Sequence, residues 1–242
     1  MLADGFTSGA LGQLALGVLA EGRSRDAILD FIQAQLPRWR DRPDRPPRTS
    51  ETTLTSQLCA HLNSAARRTP GWDCLQFRVE EADEAQASRK VDLVAAAVGE
   101  SLIVQGRSYC DFETILPVEC KRLPTPAGTG RDEREYVTTR VGVGGAIQRY
   151  KEGKHGATHV RAALIAYVQE YSFDYWFVLV GDWIRDLQMS GTPGWSAADA
   201  LVEHARDAEV GVAVHESIHS RSNLPAIYLR HLWVDMARLK TP

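Results

Sequence analysis

Two acidic residues and a lysine stand within apolar segments of the chain, and together they could support hydrolysis of a phosphodiester bond. Asp92 lies in the segment KVDLVAAAV, and Glu119 and Lys121 lie in LPVECKRL. An acid inside an apolar strand costs several kcal/mol unless it is paired or binds a cation. Side chains alternate across a strand, so Glu119 and Lys121 should share one face. Val118 and Cys120 should then face the apolar core, which suggests a cleft on the other side.

The spacing between the two acids allows them to meet. Asp92 and Glu119 are 27 positions apart, which is enough for a hairpin that places both carboxylates on one face. Two close carboxylates repel each other, and Mg²⁺ relieves that repulsion while keeping waters and phosphate oxygens as further ligands. A lysine beside the metal can act on a water or stabilise charge on a phosphate. The set therefore predicts metal-assisted phosphodiester hydrolysis, and the plain alternative is a strand edge with exposed charges.

The elements around these residues follow from apolar spacing. Helical periodicity is present over 9–21 and 24–40, and Thr49 or Ser50 can cap a helix over 51–67. Further elements are predicted as strands at 75–80, 90–98, 101–105, 112–123 and 160–169, helices at 134–152, 173–189 and 196–208, and two terminal strands joined by a turn at 221–223. This order predicts an α/β or α+β protein with a mixed central sheet flanked by helices.

The segment 38–48, RWRDRPDRPPR, divides the predicted chain into two parts. Its three prolines end any helix, and its five Arg against two Asp give a local charge of 5 − 2 = +3. It is either a solvated connector or an arm that contacts phosphate. We therefore expect an N-terminal helical extension and linker over 1–48 and a second unit over 49–242. The N-terminal helices are our candidate for a dimer interface.

Composition excludes several classes of protein. Lys plus Arg number 28 and Asp plus Glu 31, for a net charge of −3, and 44% of residues are apolar, which excludes a disordered, collagen-like or coiled-coil chain. Any phosphate-binding surface must then be a local patch. The four cysteines form no CxxC pair, and no apolar run approaches the ~20 residues of a membrane helix. We expect a cytoplasmic protein with reduced thiols, no targeting segment and no membrane partner.

The acidic and lysine residues resemble the motif of the PD-(D/E)xK nuclease superfamily, which has the restriction-endonuclease-like fold. The resemblance covers about residues 49–169. It implies that Asp92 and Glu119 bind Mg²⁺, which Mn²⁺ can replace, and that the backbone carbonyl of Cys120 is a further ligand. It also implies that Lys121 acts at the attacking water and that Glu51, in the first turn of a helix, assists through a metal-bound water. Val91 stands where proline often precedes the first acid.

The same resemblance extends to the predicted helix that follows the third strand. Members of the superfamily often place a Gln, Arg or Lys there, facing the site, which makes Gln148 a catalytic candidate. Candidates for nucleic-acid contacts are Arg149, Lys151, Lys154 and Arg122. Position 152 is Glu, so the Q-x-x-x-Y motif of the RecB-like branch is not met. The alternative for these residues is a solvated helix face.

The function implied by the resemblance is that of a Mg²⁺-dependent endonuclease, with DNA favoured over RNA as substrate. Its biological role would be defence against foreign DNA, or repair. Cutting both strands usually needs two sites, so a homodimer or a larger complex is expected. A non-cleaving subunit with a nuclease-like fold, binding nucleic acid or a partner, stays open as an alternative.

A competing motif near the C-terminus has the form H-E-x-x-H. On a helix, His215 and His219 would face one way and could bind zinc, with Glu216 as general base of a metallopeptidase. The preceding valines alternate, which predicts a strand. On a strand the two histidines lie ~13 Å apart and cannot chelate one ion. The expected role is the polar face of a terminal hairpin.

Overall fold

The computed structural model describes residues 24–99, 101–128, 131–139 and 144–237. In chain order its helices and strands are α1 (Ser24–Arg40), α2 (Glu51–Arg68), β1 (Leu75–Ala82), β2 (Lys90–Ala97), β3 (Leu102–Val104), β4 (Arg107–Tyr109), β5 (Thr114–Leu123), α3 (Ala146–Lys151), β6 (Arg161–Val168), α4 (Phe173–Met189), β7 (Val202–Asp207), β8 (Val212–Arg221) and β9 (Leu224–Asp235). The helix predicted at 9–21 lies outside the described residues.

A mixed sheet of seven strands organises the described part of the chain. Its order is β1-β2-β5-β6-β9-β8-β7. The central strands β5, β6 and β9 are parallel, and the pairs on both flanks are antiparallel. Strands β3 and β4 form a separate hairpin between β2 and β5. The predicted class, a mixed α/β protein with helices on a central sheet, is confirmed.

Helices α1 and α2 cover one face of the sheet, and their apolar side chains form a single core with it. Ile28, Leu36, Leu54 and Leu58 are fully buried and belong to one cluster with Val118 of β5. The division predicted at residue 48 therefore runs through a common core. The apolar face of α1 is buried within this core, and the other N-terminal helix that we named as a candidate dimer interface, 9–21, lies outside the described residues.

The other face of the sheet is covered by α3 and α4. Ile147 of α3 packs in one cluster with Trp176, Val180 and Trp183 of α4 and with Leu164 of β6. Helix α4 begins at its N-cap Ser172, whose hydroxyl accepts a hydrogen bond from the backbone. The sheet thus has two apolar layers, and polar side chains on it must be paired or lie at its edges.

Two predicted helices differ from the structure, and the predicted strand at 101–105 is confirmed. In the described part of the helix predicted over 134–152, only Ala146–Lys151 is helical; before it, Gly144 has a positive φ and Gly145 packs closely against Thr138. The helix predicted over 196–208 was wrong: a 3-10 turn at Ala197–Asp199 leads into β7. This edge strand is held by its pairing with β8, which local sequence does not reveal. The strand predicted at 101–105 is the first half of the β3–β4 hairpin.

Two further expectations concern membranes and thiols. No helix in the described ranges has the length and apolarity that crossing a membrane requires. All four cysteines are free thiols, as expected from their spacing.

We predict that Gly145→Ala destabilises the protein, because a Cβ atom there would lie 2.4 Å from the backbone nitrogen of Thr138. Forcing this contact apart should lower the free energy of unfolding by about 1–3 kcal/mol, measured by urea denaturation. The matched control is Gly181→Ala in α4, where nothing lies within 4 Å. That change should stabilise by about 0.5–1 kcal/mol through helix propensity. Equal effects of the two substitutions would contradict the packing described here.

Candidate active site

Strands β2 and β5 bring the two predicted acids together. They pair antiparallel with Leu93 opposite Val118, so their neighbours Asp92 and Glu119 lie side by side on the opposite face of the sheet. Val118 and Cys120 belong to the core beneath α1 and α2. The prediction that Glu119 and Lys121 share a face, away from Val118 and Cys120, is confirmed.

The ammonium group of Lys121 is the point on which the acidic groups converge. Its Nζ lies 3.0 Å from Oε1 of Glu51, 3.3 Å from Oδ2 of Asp92 and 3.5 Å from Oε2 of Glu119. It also donates a hydrogen bond of 2.7 Å to the carbonyl oxygen of Cys120. All the groups implied by the resemblance as metal ligands or their helpers therefore surround one cation.

Glu51 reaches this point from the start of α2. The hydroxyl of Ser50 caps the helix by accepting a hydrogen bond from the backbone of Thr53. Glu51 is thereby fixed in the first turn, where a negative charge is favoured by the helix dipole. Its second oxygen accepts a hydrogen bond of 3.3 Å from the backbone nitrogen of Arg122, so Glu51 ties the helix to β5.

Two of these groups are buried, whereas the sequence suggested that all of them would line an open cleft. Glu119 has no exposed surface, and the side chain of Lys121 is only 6% exposed. Asp92 and Glu51 keep 29% and 20% of their side-chain surface and line a small cleft with Thr52, Ser56 and Glu80. The site thus has a buried half and a half open to solvent.

The buried carboxylate of Glu119 has two further basic partners. Nδ1 of His155 is within hydrogen-bond distance of its Oε1, and Nη1 of Arg149 lies 3.5 Å from its Oε2. His155 lies after α3 in a turn where Gly153 and Gly156 have positive φ angles. The sequence analysis missed the contact of His155 with Glu119, since only the path of this turn creates it.

The surroundings of Asp92 and Glu119 shift the pKa values of the two carboxyl groups in opposite directions. Burial and the neighbouring Glu119 raise the pKa of Asp92 to about 7, against the opposing effect of Lys121. Burial also acts to raise the pKa of Glu119, but Lys121, His155 and Arg149 outweigh it and lower that pKa to about 2. Burial lowers the pKa of Lys121, and the three carboxylates more than offset this, so the lysine stays charged.

The oxygen atoms of Asp92, Glu119 and Cys120 are of the type that binds a divalent cation, but the ammonium of Lys121 lies among them. In the arrangement described, no three His, Cys, Asp or Glu side chains in the described residues are spaced to hold a metal ion. The oxygens of Asp92, Glu119 and Cys120 nevertheless converge on the Lys121 ammonium, which stands where a cation is favoured. Oxygen donors of this kind suit Mg²⁺, and the ion would need the ammonium to move aside.

The other predicted site residues are distributed around α3. The amide of Gln148 accepts a hydrogen bond from Thr138 and donates one to Glu152. Both partners lie outside the acidic cluster around Lys121. Lys151 is buried against Asp199, which corrects its expected role, because a buried, paired ammonium cannot contact a phosphate backbone. Lys154 forms an ion pair with Glu152.

Arg122 keeps a position at the rim of the site. Its Nη1 donates a hydrogen bond of 2.7 Å to the carbonyl oxygen of Thr49, and the contact is exposed. Among the basic candidates, Arg149 and Arg122 are therefore the two that the fold places directly beside the acidic cluster.

The H-E-x-x-H motif lies in strand β8 and not on a helix. His215 and His219 are fully buried, and His215 stacks on Phe177 with ring centroids 5.1 Å apart. Neither ring nitrogen of His215 has a hydrogen-bond partner in the described part of the chain. The expectation of a strand is confirmed, and the zinc-peptidase geometry is absent from these residues.

His219 instead belongs to a buried polar relay between the sheet and α3. Ser217 lies between the two histidines of this relay, and Asp199 joins it to Lys151. In order along the relay, the contacts are Trp233 Nε1 to Tyr136 Oη at 2.9 Å, Tyr136 Oη to His231 Nδ1 at 2.8 Å, His231 Nε2 to Ser217 Oγ at 2.8 Å, Ser217 Oγ to His219 Nε2 at 2.7 Å and His219 Nδ1 to Asp199 Oδ1 at 2.5 Å. Every member is satisfied with neutral histidines, so the relay fixes α3 on the sheet.

Comparison with known proteins adds no relative. The chain matches no protein-family model, no curated protein and no solved structure. The class that the fold and the site define is therefore a mixed α/β protein with a buried lysine among three carboxylates.

We predict that Lys121→Met strongly destabilises the fold, since it removes the cation that compensates three carboxylates. Losing one partner of a buried ionic group costs about 3–5 kcal/mol, which urea denaturation at neutral pH would measure. Adding Asp92→Asn should recover part of the loss by removing one repelling charge. If Lys121→Met alone left stability unchanged, the ammonium would not be the compensating charge.

We also predict that His215 contributes a loss of stability as the pH drops from 6.5 towards 4, opposite in sign to the contribution of Asp92. Burial lowers the pKa of His215 from 6.5 to about 4, so in this window the unfolded chain binds a proton that the folded protein does not. His215→Phe should make the pH dependence shallower without loss of stability at pH 7, because no hydrogen bond is broken.

The matched control for this substitution is His219→Phe, which breaks the contacts with Ser217 and Asp199. It should lower the free energy of unfolding by about 1–3 kcal/mol. A larger loss from His215→Phe than from His219→Phe would contradict the contacts described above.

Proposed function

We propose that the protein is a Mg²⁺-dependent nuclease with a restriction-endonuclease-like fold, acting on DNA in preference to RNA. The observation that carries the proposal is the convergence of Glu51, Asp92, Glu119 and the Cys120 carbonyl on the ammonium of Lys121. These are the residue types at the spacing of the PD-(D/E)xK motif. They come from α2, β2 and β5, which are separate elements, so their meeting is not a consequence of local sequence.

The residues divide between holding a cation and acting on the substrate. Asp92, Glu119 and the carbonyl oxygen of Cys120 would hold Mg²⁺, which when bound supplies positive charge to a phosphate oxygen. His155 and Arg149 orient the carboxylate of Glu119 through its two oxygens. Such partners fix the direction of a metal-binding carboxylate and are part of the site.

Glu51 lies on the side of the site that opens to solvent, and Lys121 lies buried behind it. The pKa of Lys121 is raised by the carboxylates, so at neutral pH the group donates hydrogen bonds and stabilises negative charge. Glu51 accepts from both Lys121 and the backbone of Arg122, which links the buried ammonium to a carboxylate that lines the cleft. Arg122 at the rim is suited to contact a phosphate of the substrate.

The proposed role in the cell is defence against foreign DNA, or repair. Cleavage of both strands of a duplex needs a second site, so we propose a homodimer or a larger complex. With the apolar face of α1 committed to the core, such an interface would use another surface.

A second candidate function is binding of nucleic acid or a partner without cleavage. It is favoured by the complete burial of Glu119 and by its contacts with His155, Arg149 and Lys121. In this state the buried carboxylate reaches a cation only if the ammonium moves. The two functions differ in whether Mg²⁺ produces cleavage.

We predict that the wild-type protein nicks plasmid DNA with Mg²⁺ and not with EDTA. Glu119→Gln and Lys121→Met should each reduce the rate by about 100-fold or more, because each removes a charge needed in the transition state. The measurement is the loss of supercoiled plasmid on agarose gels with time. An RNA substrate of matched sequence tests the preference for DNA.

Two matched controls keep the result specific. Arg185→Met removes an exposed cation that pairs with Asp182 on α4, and Glu113→Gln removes an exposed carboxylate near the start of β5. Both should retain wild-type rates. Cleavage that survives Glu119→Gln and Lys121→Met would exclude this site, and binding of DNA without Mg²⁺-dependent cleavage would favour the second candidate.

A further inference from the structure

Two tyrosine side chains stack on each other at the surface just after β6. The rings of Tyr171 and Tyr175 have centroids 4.4 Å apart and planes inclined by 25°. Tyr171 is 61% exposed and Tyr175 is 45% exposed. Single exposed apolar residues are ordinary, whereas these two stacked rings form one continuous exposed aromatic surface.

The pair rests on a rigid base. The buried ring of Trp176 meets both tyrosines edge-on, at centroid distances of 6.1 and 5.2 Å, and its Nε1 donates a hydrogen bond of 2.7 Å to the carbonyl of Glu170. Tyr171 has a φ of +62°, a conformation that an aromatic residue adopts only when the surrounding structure holds it there. Ser172 caps α4 by accepting from the backbone of Tyr175. The two rings are therefore presented in a fixed position.

The topology places this pair beside the acidic cluster. Strands β5 and β6 are parallel, and Lys121 lies opposite Ala166. Tyr171 follows Ala166 by five residues, which span at most ~17 Å even when fully extended. Both the tyrosines and the cluster thus belong to the end of the sheet where β5 and β6 finish.

A chain of contacts joins the two groups. Gln169, two residues before Tyr171, donates a hydrogen bond of 2.8 Å to the carbonyl of Thr49. The same carbonyl accepts from Arg122 at 2.7 Å, and the backbone of Arg122 contacts Glu51. The guanidinium of Arg122, suited to phosphate, is thus linked through the Thr49 carbonyl to Gln169, two residues before Tyr171, while its backbone contacts Glu51.

We propose that Tyr171 and Tyr175 form a stacking platform for an unpaired base of a single-stranded nucleic acid. The proposal rests on the proposed nuclease function and names its substrate class. Every base has a π face that stacks on an aromatic ring, so such a platform accepts any sequence. The backbone of the bound strand passes Arg122 on its way to the acidic cluster. In a duplex the base faces are hidden, so single strands, frayed ends and loops are preferred.

The test is fluorescence anisotropy of a labelled oligothymidylate in EDTA, with a blunt hairpin duplex of the same length for comparison. Tyr171→Ala with Tyr175→Ala should weaken binding of the single strand by about 10-fold or more, while binding of the duplex stays unchanged. The double Tyr→Phe variant should bind like the wild type. Tyr228→Ala is the matched control, because Tyr228 is also 45% exposed but pairs with Arg161 at the opposite end of β6.

The outcomes separate this proposal from the proposed function. Tyrosine-dependent binding of a single strand without any Mg²⁺-dependent cleavage would support the platform and contradict the nuclease. Cleavage with no effect of the alanine variant, or equal losses for single strand and duplex, would overturn the platform. A change in sedimentation mass of the alanine variant, with binding unchanged, would assign the tyrosines to contact between two copies of this chain. Thermal unfolding of each variant confirms that it is folded.

Discussion

The ammonium of Lys121 is the charge on which the arrangement of the site depends. Three carboxylates lie within 3.5 Å of it. Without a cation at their centre, these negative charges would repel one another. The pKa values of Asp92 and Glu119 move in opposite directions, because burial and Glu119 raise that of Asp92, whereas Lys121, His155 and Arg149 outweigh burial at Glu119. Under the proposed function, a divalent cation would take the place of this ammonium among the carboxylates and would contact a phosphate.

The fold supplies this arrangement from both faces of the sheet. The antiparallel register of β2 and β5 places Asp92 beside Glu119. The capped start of α2 places Glu51 beside the end of β5. On the other face, the ion pair of Lys151 with Asp199 and the histidine relay fix α3. Since α3 carries Arg149, the polar contacts of β8 and β9 bear on the orientation of Glu119 from a distance.

How much of this could be predicted from sequence depends on the range of the interaction. Strand alternation placed Glu119 with Lys121, and helix periodicity with a capping serine placed Glu51, because these signals are local. The segment before α3 could not be predicted, since the close approach of Gly145 to Thr138 involves two separate pieces of chain.

The same limit applies to three other features. Strand β7 has a charged sequence and exists through its pairing with β8, and His155 meets Glu119 only through a turn with two positive-φ glycines. The tyrosine pair likewise depends on the left-handed backbone of Tyr171. In each case a contact distant in sequence, or an unusual local conformation, decided the outcome.

We propose that the cluster around Lys121 binds a divalent cation. The most direct measurement is titration of the wild-type protein with Mn²⁺, following the free ion by electron paramagnetic resonance, alongside Glu119→Gln and Glu113→Gln. We expect one class of bound Mn²⁺ that is displaced by Mg²⁺, lost in Glu119→Gln and retained in Glu113→Gln. Absence of bound Mn²⁺ in the wild type, or binding that Glu119→Gln leaves intact, would contradict it.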